Sequence, residues 1–155
     1  MKPSPDSPAV LVFPPLLFVG TLAVGLVLHW LMPVHLLPRL VALGMGAAIL
    51  FLSWLLVRAA EQAMKQAGTN IRPDQPTLAI VTDGPFRFSR NPMYLASTGL
   101  YLAVTLLFNA LWPLVLLPLI LIALEWGVIR REERYLETKF GDPYREYRSR
   151  VRRWL

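Results

Sequence analysis

Cysteine is absent from this 155-residue chain. That excludes disulfides, thiolate nucleophiles and Cys-ligated zinc, and it leaves the redox compartment open. Charge is scarce, at 17% of residues, and acidic charge is scarcer than basic: 10 Asp and Glu against 16 Lys and Arg. Histidine occurs only at His29 and His35, without metal-ligand spacing, so no metal is expected. Neither a Ser/His/Asp arrangement nor a phosphate-binding glycine loop can be found. What remains is apolar: 55% of residues are hydrophobic, and mean hydropathy is +0.46. A soluble domain this small keeps too much surface exposed to hide such a composition, which leaves lipid as the solvent. The net charge of +6 comes from bases that flank the apolar segments. That placement suits anionic headgroups, and no nucleic-acid partner is expected.

Four apolar runs predict membrane helices, at about 10–32, 39–60, 93–108 and 110–129. The first is too long for a signal peptide, has Asp6 beside Lys2 at its start and lacks a cleavage site, so it reads as a retained helix. Pro14 and Pro15 fit its first turn, where a missing N–H costs little. In the second run, Gly44 to Ala48 offers small residues for close helix contact. Only Asn109 separates the last two runs, which predicts a tight antiparallel hairpin. The third run, at about 24 Å from 1.5 Å per residue, is short for a full crossing. Pro113 and Pro118 predict bends in the fourth.

Between the second and third runs lies a polar loop, 61–92, punctuated by Gly68, Pro73, Pro76, Gly84 and Pro85. After Ile129 a charged tail, 130–155, reads as two helices, with Gly141 at a C′ position and Asp142-Pro143 opening the second. The loop and its flanks carry Arg58, Lys65, Arg72, Arg87 and Arg90, and the tail carries nine further bases. The turns on the opposite side hold only Arg39. The positive-inside rule therefore puts loop, tail and both termini in the cytoplasm. The expected fold is an all-α, multi-pass inner-membrane protein in one domain, 1–155, with about four transmembrane helices, a C-terminal helical hairpin and a cytoplasmic helical tail.

Everything polar enough for chemistry lies on that one side. Asn91-Pro92 opens the third helix as N-cap and N1, presenting free N–H groups that suit an anion. Glu132 and Glu133 follow the last apolar run and suit an ammonium or ribose hydroxyls. A zwitterionic ligand fits this pair of features, as would many others. A cap and a solvated acidic face explain the same residues without any ligand. Glu125 lies inside the helix end, where an ionisable group is expensive, so either function or snorkelling accounts for it.

The segments Gly84-Pro85-Phe86-Arg87-Phe88-Ser89-Arg90-Asn91-Pro92-Met93-Tyr94, an apolar hairpin, Arg131-Glu132-Glu133-Arg134-Tyr135-Leu136 and Phe140 to Tyr147 occur in this order. Together they resemble the isoprenylcysteine carboxyl methyltransferase and phospholipid N-methyltransferase superfamily, over roughly residues 68–155. The resemblance implies an S-adenosylmethionine-dependent methyltransferase acting on a lipid or hydrophobic small-molecule acceptor at the cytoplasmic membrane face. By position, Arg90, Asn91, Pro92 and Tyr94, with Gly84, Pro85 and Leu95 beside them, would form one wall of the cofactor site. Glu132 and Glu133 would form the other, with Tyr144 and Tyr147 in a tail folding over it. Family enzymes often carry His where this chain has Asn91, which cannot titrate near neutrality. Glu125, as base or amine-orienting group, and Arg130, as headgroup anchor, are the catalytic candidates. The alternative is a non-catalytic membrane adaptor that binds lipid or partners through its basic tail. A transporter fits less well, because nothing polar lies near mid-helix.

Overall fold

A computed structural model describes Pro8, residues 10–72 and residues 75–155. Lys2, Asp6 and Pro73 lie outside the described residues. Among those described there is no strand, only an isolated bridge between His35 and Ala110. Helix α1 spans Pro14–Leu31, α2 Arg39–Gln66, α3 Pro92–Leu107 and α4 Leu111–Leu124. A π-helical turn, Glu125–Ile129, carries α4 without interruption into α5, Arg130–Phe140, and α6 follows over Asp142–Arg150.

Three helices are long and apolar enough to cross a membrane: Pro14–Leu31, Arg39–Gln66 and the continuous rod Leu111–Phe140. Helix α3 is the shorter apolar element that its run of residues foretold. Pro14 and Pro15 do occupy the first turn of α1. Two boundaries differ from the hydropathy reading. Helix α2 continues past Ala60 to Gln66, because Glu61-Gln62-Ala63-Met64-Lys65-Gln66 consists of strong helix formers. Polarity there marks the end of the apolar run, not of the helix. Likewise the last apolar run does not stop at Ile129. The π turn continues it, and Gly127 O within that turn accepts a bond from Leu11 N at 3.0 Å. The final helix begins one residue early, at Asp142, with Gly141 at φ +61° forming the corner.

Helices α3 and α4 form a hairpin, yet they pack chiefly on α2 and α1 rather than on each other. Small residues decide these pairings. A Cβ on Gly25 would stand 2.7 Å from Pro113 Cα, so α1 and α4 touch backbone to backbone. A Cβ on Gly46 would stand 2.9 Å from Leu107 Cγ, and Gly99 faces Ser53 just as closely, which brings α2 onto α3. Gly44, by contrast, faces open space, so only part of the small-residue stretch is used. Phe18, Tyr101, Leu117, Ile120, Leu124, Val128 and Ile129 form the buried core. Large apolar side chains cover the outside instead, Leu40 being 84% exposed. Pro118 lies inside α4 and removes one backbone donor.

At the end of the bundle away from the tail, Asn109 takes φ +51° between α3 and α4. Its Oδ1 accepts from Leu36 N and Leu37 N, both at 3.0 Å. Its Nδ2 donates to Leu37 O at 2.7 Å. One side chain thus ties the two turns together.

Candidate functional site

Past the end of α2 the chain folds back over the bundle. Thr69 Oγ1 accepts from Leu78 N at 2.9 Å, and Asn70 Nδ2 donates to Pro76 O at 2.8 Å. Tyr135 OH, on α5, accepts from Thr77 N at 3.2 Å. A 3-10 turn, Gly84–Arg87, leads into Ser89-Arg90-Asn91 and the start of α3. This loop, the first turn of α3, α5 and α6 enclose a cavity of about 310 Å³. Arg90, Asn91, Pro92, Met93, Tyr94 and Ser97 line one side, and Glu132, Glu133, Tyr135 and Leu136 the other. Tyr144 and Tyr147 of α6, apolar residues Ile71, Ile80 and Val81, and Phe13, Pro14 and Pro15 at the head of α1 complete it.

Two cross-wall contacts organise the cavity. Tyr94 OH donates to Glu132 Oε1 at 2.6 Å. Arg90 Nη1 lies 3.1 Å from Glu133 Oε1, both side chains being about nine-tenths buried. Glu132, one turn beyond the apolar stretch, has its carboxyl pushed up from 4.5 to about 7. Burial is the main cause; the hydrogen bond from Tyr94 opposes it and the charge of Glu133 adds to it. Burial likewise pushes up the Tyr144 and Tyr147 phenols, so both are neutral at physiological pH. Tyr147 OH donates to Phe86 O at 2.8 Å, and Tyr144 hydrogen-bonds Arg90. Arg90 Nε is buried without a partner.

The C-terminal segment closes this structure from behind. Arg153 grips Glu133 with two bonds, Nε to Oε1 at 2.9 Å and Nη2 to Oε2 at 2.6 Å. Its third donor, Nη1, reaches Glu125 Oε1 at 2.6 Å. Arg90 N donates to Arg152 O at 2.9 Å. Ser89 Oγ and Asn91 Nδ2 donate to Arg153 O at 3.2 and 3.0 Å. Asn91 holds the N-cap position of α3 with Pro92 in the first turn, but its side chain makes no cap bond. The amide is spent on the tail instead.

Of the residues singled out in the sequence, Arg90, Asn91, Pro92, Tyr94, Glu132, Glu133, Tyr144 and Tyr147 converge on the cavity. Gly84, Pro85, Leu95, Glu125 and Arg130 are not among its lining residues. Gly84 packs against Ala63 at φ +58°, and Pro85 O accepts from Phe88 N and Ser89 N in the same turn. Leu95 N makes the first bond of α3, to Asn91 O. Glu125 Oε1 accepts from Arg130 Nε at 3.0 Å, and the Arg130 guanidinium lies 3.6 Å from the Trp126 ring centre. Neither residue of this pair lines the cavity that was expected to use it. Arg153 escaped sequence reading, since nothing local to a basic C-terminal segment says which acid it returns to.

The profile of the phospholipid methyltransferase family matches residues 41–143, from inside α2 to the start of α6, and so includes most of both walls. The chain belongs to the phospholipid methyltransferase family. Membership in that family implies a membrane methyltransferase, in keeping with the apolar helices. An uncharacterized protein of Haemophilus influenzae (strain ATCC 51907 / DSM 11121 / KW20 / Rd) is 50% identical over 64 residues. Those residues are 41% of this chain and 100% of that protein. No solved structure matches.

Proposed function

We propose that the chain is an S-adenosylmethionine-dependent methyltransferase acting on a lipid-like or hydrophobic acceptor. It works at the cytoplasmic face of the inner membrane, with both termini in the cytoplasm, as the distribution of bases favours. The observation that carries the reading is the facing pair Tyr94–Glu132 and Arg90–Glu133, in one cavity at the polar end of a membrane bundle.

The residues fit such a cofactor. A volume of about 310 Å³ lies in the usual range for small-molecule sites, about 300–1,000 Å³. The unpartnered Arg90 Nε is a buried donor that a carboxylate would satisfy. Glu132 offers a carboxylate to a cationic group, and Ile71, Ile80, Val81 and Leu136 provide an apolar surround. When bound, the cofactor supplies an electrophilic methyl on a sulfonium, open to in-line displacement. The chain's own work is then to align the acceptor and exclude water. Phe13, Pro14, Pro15 and Met93 edge the cavity where α1 and α3 begin, an apolar approach from the bilayer. Glu132 suits the proton-accepting role better than Glu125, because it lines the cavity and titrates near neutrality. Tyr94 orients its carboxyl, while Arg153 and Arg90 hold Glu133 in place.

A labelled-methyl transfer assay against a native membrane lipid extract, with products identified by mass, tests this directly. Transfer to a lipid product is expected from the wild-type chain, and loss of cofactor binding from Glu132→Ala. A folded chain without measurable S-adenosylmethionine affinity would overturn the proposal.

A further inference from the structure

On the opposite side of α5 from the methyl-transfer cavity lies a second cleft, of about 450 Å³. Arg130, Arg134, Arg148 and Arg153 line it, against Glu133 and Glu137, with Trp126 at its edge. Four guanidinium groups face Glu133 and Glu137, and Glu125 takes Arg130 Nε and Arg153 Nη1, so three carboxylates leave the cleft a smaller cationic excess. Its own ion pairs leave donors over. Arg148 Nη1 meets Glu137 Oε2 at 3.0 Å, and Arg134 Nε bonds the Arg130 carbonyl at 3.2 Å. Each guanidinium carries five N–H donors in a planar fork that matches phosphate oxygens.

What the cleft adjoins is equally specific. Val115, Leu119, Ile122 and Trp126 are 53%, 62%, 58% and 61% exposed. Their spacing of four, three and four residues places them in one stripe along the α4 rod, running straight to the cleft. The stripe lies on the apolar part, before Arg130, of a rod long and apolar enough to cross a membrane, so it suits a hydrocarbon neighbour. Trp126, capped by the Arg130 guanidinium, marks the headgroup level where apolar stripe meets cationic cleft.

We infer that this cleft seats the phosphodiester of an anionic phospholipid, one acyl chain of which lies along the Val115–Leu119–Ile122–Trp126 stripe. The seat rests on the membrane-embedded fold and is independent of methyl transfer. An anionic phospholipid needs no amine to occupy it. Because Glu133 lines both clefts, the lipid lies back to back with the cofactor cavity.

Native mass spectrometry of the full chain released from micelles, with phosphatidylglycerol or phosphatidylcholine added, tests the inference. The wild type should retain one phosphatidylglycerol in preference to phosphatidylcholine. The double variant Arg134→Gln, Arg148→Gln should lose that preference by about tenfold or more, at about 1 kcal/mol per base near an anionic group. Glu137→Gln, which frees Arg148, should strengthen it. Equal retention of the two lipids by the wild type would overturn the inference, as would an unchanged preference in the folded double variant. Should that variant not fold, Glu137→Gln decides alone: a stronger preference supports the seat, an unchanged or weaker one removes it. S-adenosylmethionine binding, measured in parallel, separates this result from the methyltransferase reading.

Discussion

Glu132 and Glu133 are adjacent in sequence and live in opposite surroundings. Glu133 is ringed by Arg153 and Arg90, whereas among the described residues Glu132 meets the Tyr94 hydroxyl across a buried gap. The consequence is a pH signature. With its folded value raised from 4.5 to about 7, Glu132 costs the fold nothing below the lower value. Stability is then lost as pH rises toward the upper one. Glu132→Gln should therefore raise Tm at about pH 8.5 and leave it unchanged near pH 4, as thermal scans at the two pH values would reveal. Catalysis should run the other way. In the wild type, methyl transfer should fall as pH drops through about 7, because the protonated carboxyl can no longer accept a proton. A pH–rate profile flat across that range would remove Glu132 from the role. Arg153→Met should leave Glu133 under-partnered in a buried place and weaken cofactor binding by about tenfold or more, read by equilibrium titration.

Among the elements, helix pairing rests on close approach. Gly25 is the sharpest case, since the atom its Cβ would strike belongs to the Pro113 backbone and cannot swing aside. Gly25→Ala should cost about 1–3 kcal/mol in reversible unfolding, through strain between α1 and α4. The turn at Asn109 depends on chemistry that no other residue supplies as cheaply. It needs a tolerated positive φ together with an amide that accepts twice and donates once. Asn109→Ala should destabilise the fold by about 1–3 kcal/mol, measured in the same way. The expected hairpin was legible from the single polar residue between two apolar runs. That its arms would lean on α1 and α2 was not, because facing glycines are visible only when both helices are in place.

For the whole molecule, the C-terminal segment acts as a strap. It joins the loop before α3 to the acids of α5 through backbone and guanidinium bonds. Deleting residues 151–155 should leave helical content nearly intact by circular dichroism while abolishing cofactor binding. A truncated chain that still bound the cofactor normally would show the strap to be dispensable. The adaptor alternative pictured the basic tail as a surface for partners. In the fold, Arg153 is turned inward onto the acids of α5 and the Arg152 carbonyl accepts from Arg90 N, while the Arg152 residue stays exposed.

The sequence by itself determined that this chain is helical and lives in lipid, since apolar length and the lack of compensating charge admit no other solvent. It also determined the family, through an ordered set of polar segments at one end of the helices. Both walls of the cavity could be named in advance because motif order survives folding. Which acid faces that cavity was decided only by tertiary structure. Glu125 and Glu132 read alike along the chain, but the wide turn between α4 and α5 and the returning Arg153 turn the first into an ion-pair partner. The second is left facing Tyr94. Charge pairing across dozens of residues depends on where the chain returns, and no local pattern encodes that.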